Sequence, residues 1–275
     1  MILCVKPGGN MEEAQKLADK IKAKILIEQE ADGDKEQELI LQFASDGLTL
    51  RSGNLSMQGD FTHMLSRIKQ GSLQREFLYK ASKLKNLGPN PIAIDATAGM
   101  GEDSLILAAA GYEVYLYELN PIIAALLKDT VRRSATIPEL APIVSRMHVM
   151  EGNSIEAMTG LHVPEEIENV RKPEDDRVES ENPFLPGIDL ILLDPMFPAR
   201  KKSGLIKKKF QLLQRLEQPC SDEVELMEAA FRAKPRRILV KRPQKGPYLA
   251  EKKPDYSIPG KAIRYDIYTV RVTKG

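Results

Sequence analysis

The sequence predicts a doubly wound, mostly parallel α/β sheet with a small N-terminal α+β extension. Three observations support this. From residue 92 onward, apolar runs the length of buried strands alternate with stretches of helical period, the pattern of a parallel sheet covered on both faces. Residues 1–60 instead gather short alternating runs around one helical stretch. With 275 residues, 42% hydrophobic and 29% charged, the chain can build one large domain and an appended unit without disulfide staples.

Taken in order, the opening residues read as a short strand. Ala14, Leu17, Ala18 and Ile21 then mark a helix, and residues 39–43 and 48–50 flank Asp46-Gly47 as a hairpin. These make the N-terminal unit, residues 1–60. Residues 61–90 predict a helical connector, its stripe of Leu65, Ile68, Leu73, Phe77, Leu78 and Leu84 broken once at Gly71. Gly88-Pro89-Asn90-Pro91 ends it and places a domain boundary there. In the main domain, 91–275, strands are expected at 92–95, 112–118, 147–150, 188–193 and 238–241, with helices at 104–110, 122–134 and 223–233. Residues 264–272 alternate as terminal strands do. Residues 160–187 are acidic and proline-punctuated with almost no apolar period, which predicts a mobile surface insertion.

Composition excludes several classes. No apolar run approaches the ~20 residues that span a bilayer, so no membrane association is expected. Lys6, Pro7 and two glycines stand where a secretory peptide would carry its apolar core, so the start is read as part of the fold. Cys4 and Cys220 fit no metal or redox spacing, and so few thiols suggest a reducing, cytoplasmic setting. His63, His148 and His162 show no ligand spacing either, so no metal is expected. The net charge is only +1, but the signs are segregated: residues 165–181 are acidic, whereas 200–209 hold six basic residues and no acidic one. A polyanion is therefore a plausible partner.

The residues with chemical potential lie at predicted strand ends. Asp95-Ala-Thr-Ala-Gly-Met-Gly-Glu-Asp103 follows a buried strand and opens a helix. Gly99 and Gly101 permit the tight turn and close approach that a nucleotide-like ligand needs. Glu102 and Asp103 stand where a dinucleotide would set its pyrophosphate, and like charges repel there. S-adenosylmethionine carries a sulfonium and an ammonium and no phosphate, so it suits this loop better than NAD. The bland reading is that both acids merely complement the helix dipole. Glu118, at the tip of the next strand, can accept hydrogen bonds from both ribose hydroxyls. Asn153 and Ser154, after the third strand, lie where an adenine edge would be read, although both also occur in ordinary turns.

Asp194-Pro-Met-Phe-Pro198 follows the fourth strand directly, at the end of the sheet where open α/β folds place their chemistry. Asp194 can accept a hydrogen bond from an exocyclic amine. Pro195 stiffens the turn, and Phe197 offers a face for an extruded base. Together with the glycine loop this predicts methylation of an amino nitrogen, in which orientation dominates the rate. Arg200, Lys201, Lys202, Lys207, Lys208 and Lys209 follow at once, and Lys241-Arg242 ends the fifth strand; all eight are candidates for gripping an RNA backbone. The other readings are an adenine-N6 or other amino methyltransferase on DNA or RNA, a nicotinamide-dependent oxidoreductase, and a non-catalytic RNA-binding module.

Several blocks in order resemble the bacterial small-subunit (16S) ribosomal RNA (guanine-N2)-methyltransferase J family. They are Asp95-Ala-Thr-Ala-Gly-Met-Gly, Glu118-Leu-Asn-Pro121, Leu193-Asp-Pro-Met-Phe-Pro198, Val240-Lys-Arg-Pro243 and Gly260-Lys-Ala-Ile-Arg-Tyr-Asp-Ile-Tyr268. The resemblance implies a Rossmann-like methyltransferase domain, S-adenosylmethionine as donor, and a guanosine of small-subunit ribosomal RNA, free or in the small subunit, as acceptor. On matching positions it implies cofactor contacts at Glu102, Asp103, Glu118, Leu119, Asn153, Ser154 and Asp194, beside Asp95, Gly99 and Gly101 of the loop. The chain departs from the family pattern in its long acidic insertion and in a stretch before Gly88 that is poor in glycine and arginine.

Overall fold

The computed structural model describes residues 1–27, 38–160, 187–195, 208–216 and 222–270. Its larger sheet takes in β6 (Ile92–Asp95), β7 (Glu113–Glu118), β8 (Met147–Glu151), β9 (Leu190–Leu193), β10 (Arg237–Pro243), β11 (Tyr256–Pro259) and β12 (Ile263–Thr269). The order across it is β11-β12-β10-β9-β6-β7-β8. Neighbours from β8 through β10 are parallel, and β12 runs antiparallel to both β10 and β11. Hence β6, flanked by β7 on one side and β9 on the other, is where the chain order reverses. In open α/β sheets that reversal opens a crevice at the carboxyl ends of the strands.

Leu190 to Leu193 are wholly buried, and their alternation explains why the run is apolar throughout. Leu190 and Leu192 enter one core with Leu105 and Leu107 of α5 (Glu102–Ala109), while Ile191 and Leu193 enter the other with Leu226 and Ala230 of the helix Glu223–Arg232. Helix α6 (Pro121–Ser134) starts where expected because Asn120 caps it, its Oδ1 accepting from the Ile122 N–H at 2.9 Å, with proline at the first helical position.

The N-terminal sheet is β2-β1-β3-β4-β5, built from β1 (Ile2–Val5), β2 (Lys24–Ile27), β3 (Ile40–Ala44), β4 (Gly47–Ser52) and β5 (Leu55–Met57), with α1 (Met11–Ile21) on it. The sequence reading missed β2 and β5, each too short to show a period. The unit is not insulated from the rest. Leu3, Phe43, Leu50 and Leu17 share one core with Ile122, Ile123 and Leu126 of α6 and with Leu212 and Leu213 of the helix Lys208–Gln214. Asp129 of α6, almost fully buried, accepts from the Leu48 N–H at 3.0 Å and pairs with Arg132 and Arg133.

The connector corrects the expectation of a helix broken only at Gly71. Its pieces are the 3-10 turn Thr62–Met64 and three short helices, α2 (Leu65–Ile68), α3 (Gln70–Leu73) and α4 (Phe77–Ser82). Gly71 lies inside α3, and the breaks fall at Lys69 and Glu76, whose ψ values of 138° and 134° are extended. Each piece must dip Met64, Ile68, Leu73 or Leu78 into the main core, which a straight helix could not do. Arg67 clamps the fold-back, donating to both oxygens of Glu76 at 2.9 Å.

Candidate functional site

The crevice at β6 is built from three strand ends. Asp95, the last residue of β6, is 2% exposed and accepts from Ser104 Oγ at 2.6 Å and from the Thr97 N–H at 3.2 Å. Burial, with Asp103 and Asp194 nearby, pushes its carboxyl up to about 7. The loop then turns through Gly99 at φ +52° and Gly101 at φ +77°, the left-handed region that glycine occupies without strain. The two glycines differ. A Cβ on Gly101 would lie 2.7 Å from Leu127 Cδ1, so that residue packs the loop onto α6, whereas a Cβ on Gly99 would meet nothing within 4 Å. Gly99 thus leaves an open backbone surface in the loop that follows β6.

Glu118 ends β7, one of its oxygens accepting from the Gly99 N–H at 3.0 Å and the other from the Asn120 N–H at 2.8 Å. Burial raises its pKa above the usual carboxylate range, against the pull of these amides. Leu119 beside it is 69% exposed, an apolar surface next to a fixed carboxylate. Asn153 caps the short helix Ser154–Met158 by accepting from the Ile155 N–H at 2.9 Å, and Ser154 is buried behind it.

The turn after β9 closes on the loop. The Asp194 N–H donates to Thr97 Oγ1 at 2.6 Å, so the fourth strand's tip and the glycine loop are hydrogen-bonded directly. Pro195 is buried and the Asp194 side chain is 37% exposed, enough for an amine to reach it. Burial and the neighbouring Asp103 raise its carboxyl above the usual range, opposed by Lys241. Glu102, at the start of α5, lies 3.1 Å from His63 Nε2 of the connector.

Two predicted RNA contacts need correction in their orientation. Lys241 and Arg242 were expected on an open basic edge, and both turn inward. Lys241 Nζ lies 2.6 Å from Asp103 and 2.9 Å from Asp194. Arg242 is 1% exposed, donating to the Pro247 carbonyl and facing Glu223 at 3.6 Å. The reason is period two in a strand that outruns its neighbour, so that successive side chains drop onto opposite faces, each finding a carboxylate. Phe197, Arg200, Lys201, Lys202 and Lys207 lie outside the described residues, as do the side chains of Lys208 and Lys209. So do His162, Cys220 and residues 161–186 of the acidic insertion. Thr97, Ser104 and Tyr265, which line this cluster, were not singled out in the sequence; Thr97 stands in the quoted loop motif and was the one within reach.

Among the described residues, no group of three or more His, Cys, Asp or Glu side chains is placed to hold a metal ion, and no helix is long and apolar enough to cross a membrane. The crevice is rich in carboxyl groups, Asp95, Asp103, Glu118 and Asp194, and Lys241 contacts two of them, Asp103 and Asp194. Such a set repels phosphate and suits a cationic, phosphate-free nucleoside.

Sheet order, open glycine backbone and acidic strand tips fit the class that the family comparison shows, a methyltransferase that uses S-adenosylmethionine. A family model described as "Putative SAM-dependent methyltransferase" matches residues 24–270. A protein of Thioalkalivibrio sulfidiphilus named Ribosomal RNA small subunit methyltransferase J is 39% identical over 197 residues, covering 72% of this chain and 69% of its own. Its namesake in Dechloromonas aromatica is 34% identical over 245 residues, covering 87% and 91%. The crystal structure of a SAM-dependent methyltransferase from Neisseria gonorrhoeae superposes with a TM-score of 0.68 at 26% identity, covering 100% of this chain and 98% of that one. The chain belongs to the ribosomal RNA small subunit methyltransferase J family.

Proposed function

We propose that this chain transfers a methyl group from S-adenosylmethionine to the exocyclic N2 of a guanosine in small-subunit (16S) ribosomal RNA. One observation carries the reading: the Asp194 turn and the glycine loop are joined at 2.6 Å through Thr97, at the reversal point of the sheet. An acceptor amine and a donor methyl would therefore meet there. The names of the relatives support the RNA substrate, and the resemblance of the motif blocks supports guanine N2.

In this reading Glu118 holds the ribose hydroxyls, Leu119 packs on the adenine, and Asn153 and Ser154 border its edge. Gly99 and Gly101 allow close backbone approach, Asp95 fixes the loop through Thr97 and Ser104, and Glu102 and Asp103 make the site favourable to positive charge. When bound, S-adenosylmethionine supplies an electrophilic methyl whose sulfonium departs as a neutral thioether. Asp194 accepts a hydrogen bond from the exocyclic amine and turns its nitrogen toward the methyl. As the N–C bond forms the amine becomes acidic, and Asp194, its affinity for protons raised by burial, takes the proton or passes it to solvent. Pro195 keeps the turn rigid, and alignment rather than acid–base strength sets the rate. Phe197 and the basic residues from Arg200 to Lys209 are the proposed base platform and RNA grip, and a cytoplasmic location follows from the substrate.

Methyl-labelled S-adenosylmethionine incubated with the purified protein and small subunits, or naked 16S RNA, tests this. Label in one guanosine, lost in Asp194→Ala, is the expected result. No transfer to either acceptor, or label on adenine N6, would overturn the proposal.

A further inference from the structure

We infer that Lys241 is a positioning residue for the reaction, clamping the acceptor turn to the first turn of α5 so that Asp194 presents a single, charged acceptor oxygen. The inference rests on the reading of Asp194 given above and goes beyond it by assigning the group that controls that carboxylate.

The geometry is specific. In the parallel pairing of β10 with β9, Val240 stands opposite Leu193. The next residue on each strand, Lys241 and Asp194, therefore leaves the sheet side by side, at 2.9 Å. Asp103, 138 residues earlier in the chain, reaches the same ammonium at 2.6 Å from the first turn of α5. One cation thus ties the tips of β9 and β10 to the helix that follows the glycine loop. The contact is made by Asp194 Oδ2, and the inference assigns Oδ1 to the substrate amine.

The surroundings make this cation consequential. The charged groups near Asp194 are Asp103 from α5, Lys241 and Arg242 from β10, and Asp95 from β6, with Tyr265 of β12 and Arg67 of the connector next to the same cluster. Arg242 turns to the opposite face, so Lys241 is the one basic group in contact with the two carboxylates among these neighbours. Burial alone would lower the Lys241 pKa; Asp103 and Asp194 override it and hold the ammonium charged far above neutrality. Without that charge, two half-buried carboxylates would face each other, and protonating Asp194 would relieve the repulsion.

The test measures methyl transfer from pH 6 to 9.5 for the wild type, Lys241→Met, Lys241→Arg, Asp103→Asn and Asp194→Ala, with circular dichroism as a folding check. Lys241→Met should lose on the order of 100-fold in kcat at pH 7, as expected for a misplaced acceptor. Its acidic limb should move to higher pH, and Lys241→Arg should recover part of both. Asp103→Asn removes a like charge and leaves the cation to Asp194, so its acidic limb should move the other way. If Lys241→Met fails to fold, Lys241→Gln takes its place. A wild-type kcat and unmoved acidic limb in the lysine variants, with Asp194→Ala inactive, would overturn the inference alone. An active Asp194→Ala would bring down the underlying reading and this inference with it.

Discussion

Placing alanine at Gly99 and at Gly101 separates the stability of the loop from its function, because the two residues share a backbone region but not a neighbourhood. At φ +52° and +77° an L side chain costs roughly 1–2 kcal/mol, and restricting the unfolded chain returns about 0.4–1 kcal/mol. For Gly99→Ala this is the whole account, since its Cβ meets nothing within 4 Å, and the net loss should be about 1 kcal/mol or less. For Gly101→Ala the Cβ lies 2.7 Å from Leu127 Cδ1 and 3.4 Å from Leu116 and Phe61, all fully buried. Overpacking there adds ~1–3 kcal/mol, for a total of about 2–4 kcal/mol, or a fall in Tm of roughly 4–12 °C. Thermal denaturation with and without S-adenosylmethionine, together with calorimetric titration of the ligand, measures both effects. Gly99→Ala should lower Tm by no more than roughly 4 °C and lose affinity, because its methyl occupies the open surface assigned to the donor. Equal falls in Tm, or wild-type affinity in Gly99→Ala, would refute the assignment of packing to one glycine and ligand approach to the other.

Glu118→Gln turns one of two amide-accepting oxygens into a donor facing an N–H, and should weaken S-adenosylmethionine binding roughly 10–100-fold, as for other hydrogen bonds to charged groups; an unchanged Kd in calorimetry would count against the ribose-binding role. Asp95, pushed up to about 7 from an ordinary value near 4, holds a proton when folded that the unfolded chain releases. Its stabilising contribution is therefore full below pH 4 and disappears as pH rises through 7, so Asp95→Asn should shrink the stability difference between pH 5 and pH 8 by roughly 2–3 kcal/mol. Denaturant titrations at the two pH values check this, and identical pH dependence in wild type and variant would refute it. Asp129→Ala strands the Leu48 N–H and takes the carboxylate from Arg132 and Arg133 at the seam with the N-terminal sheet, and should cost ~3 kcal/mol in urea denaturation. A loss under about 1 kcal/mol would mean that the shared core alone holds the two sheets.

What could be read from the sequence was whatever has a short repeat or sits beside its cause. Leu190 to Leu193 announced a doubly buried strand because both faces of the sheet are covered, and residues 122–134 announced α6 because a helical period shows within a few turns. Glu118 was legible as a strand tip for the same local reason. The connector was misread because its breaks at Lys69 and Glu76 answer to core positions and to the Arg67–Glu76 clamp, not to a helix-breaking residue. The site divides likewise. The glycine loop and the Asp194 turn are visible as motifs, but their junction through Thr97 joins residues 97 apart in the chain. Lys241 and Arg242 look alike in sequence, two adjacent bases at a strand end. Only the pairing register and the period of the strand send one to Asp103 and Asp194 and the other to Glu223. Charge is a property of the residue, but its partner is chosen by whichever distant element the fold packs within about 4 Å, where Coulomb energy in a partly buried site exceeds that in water.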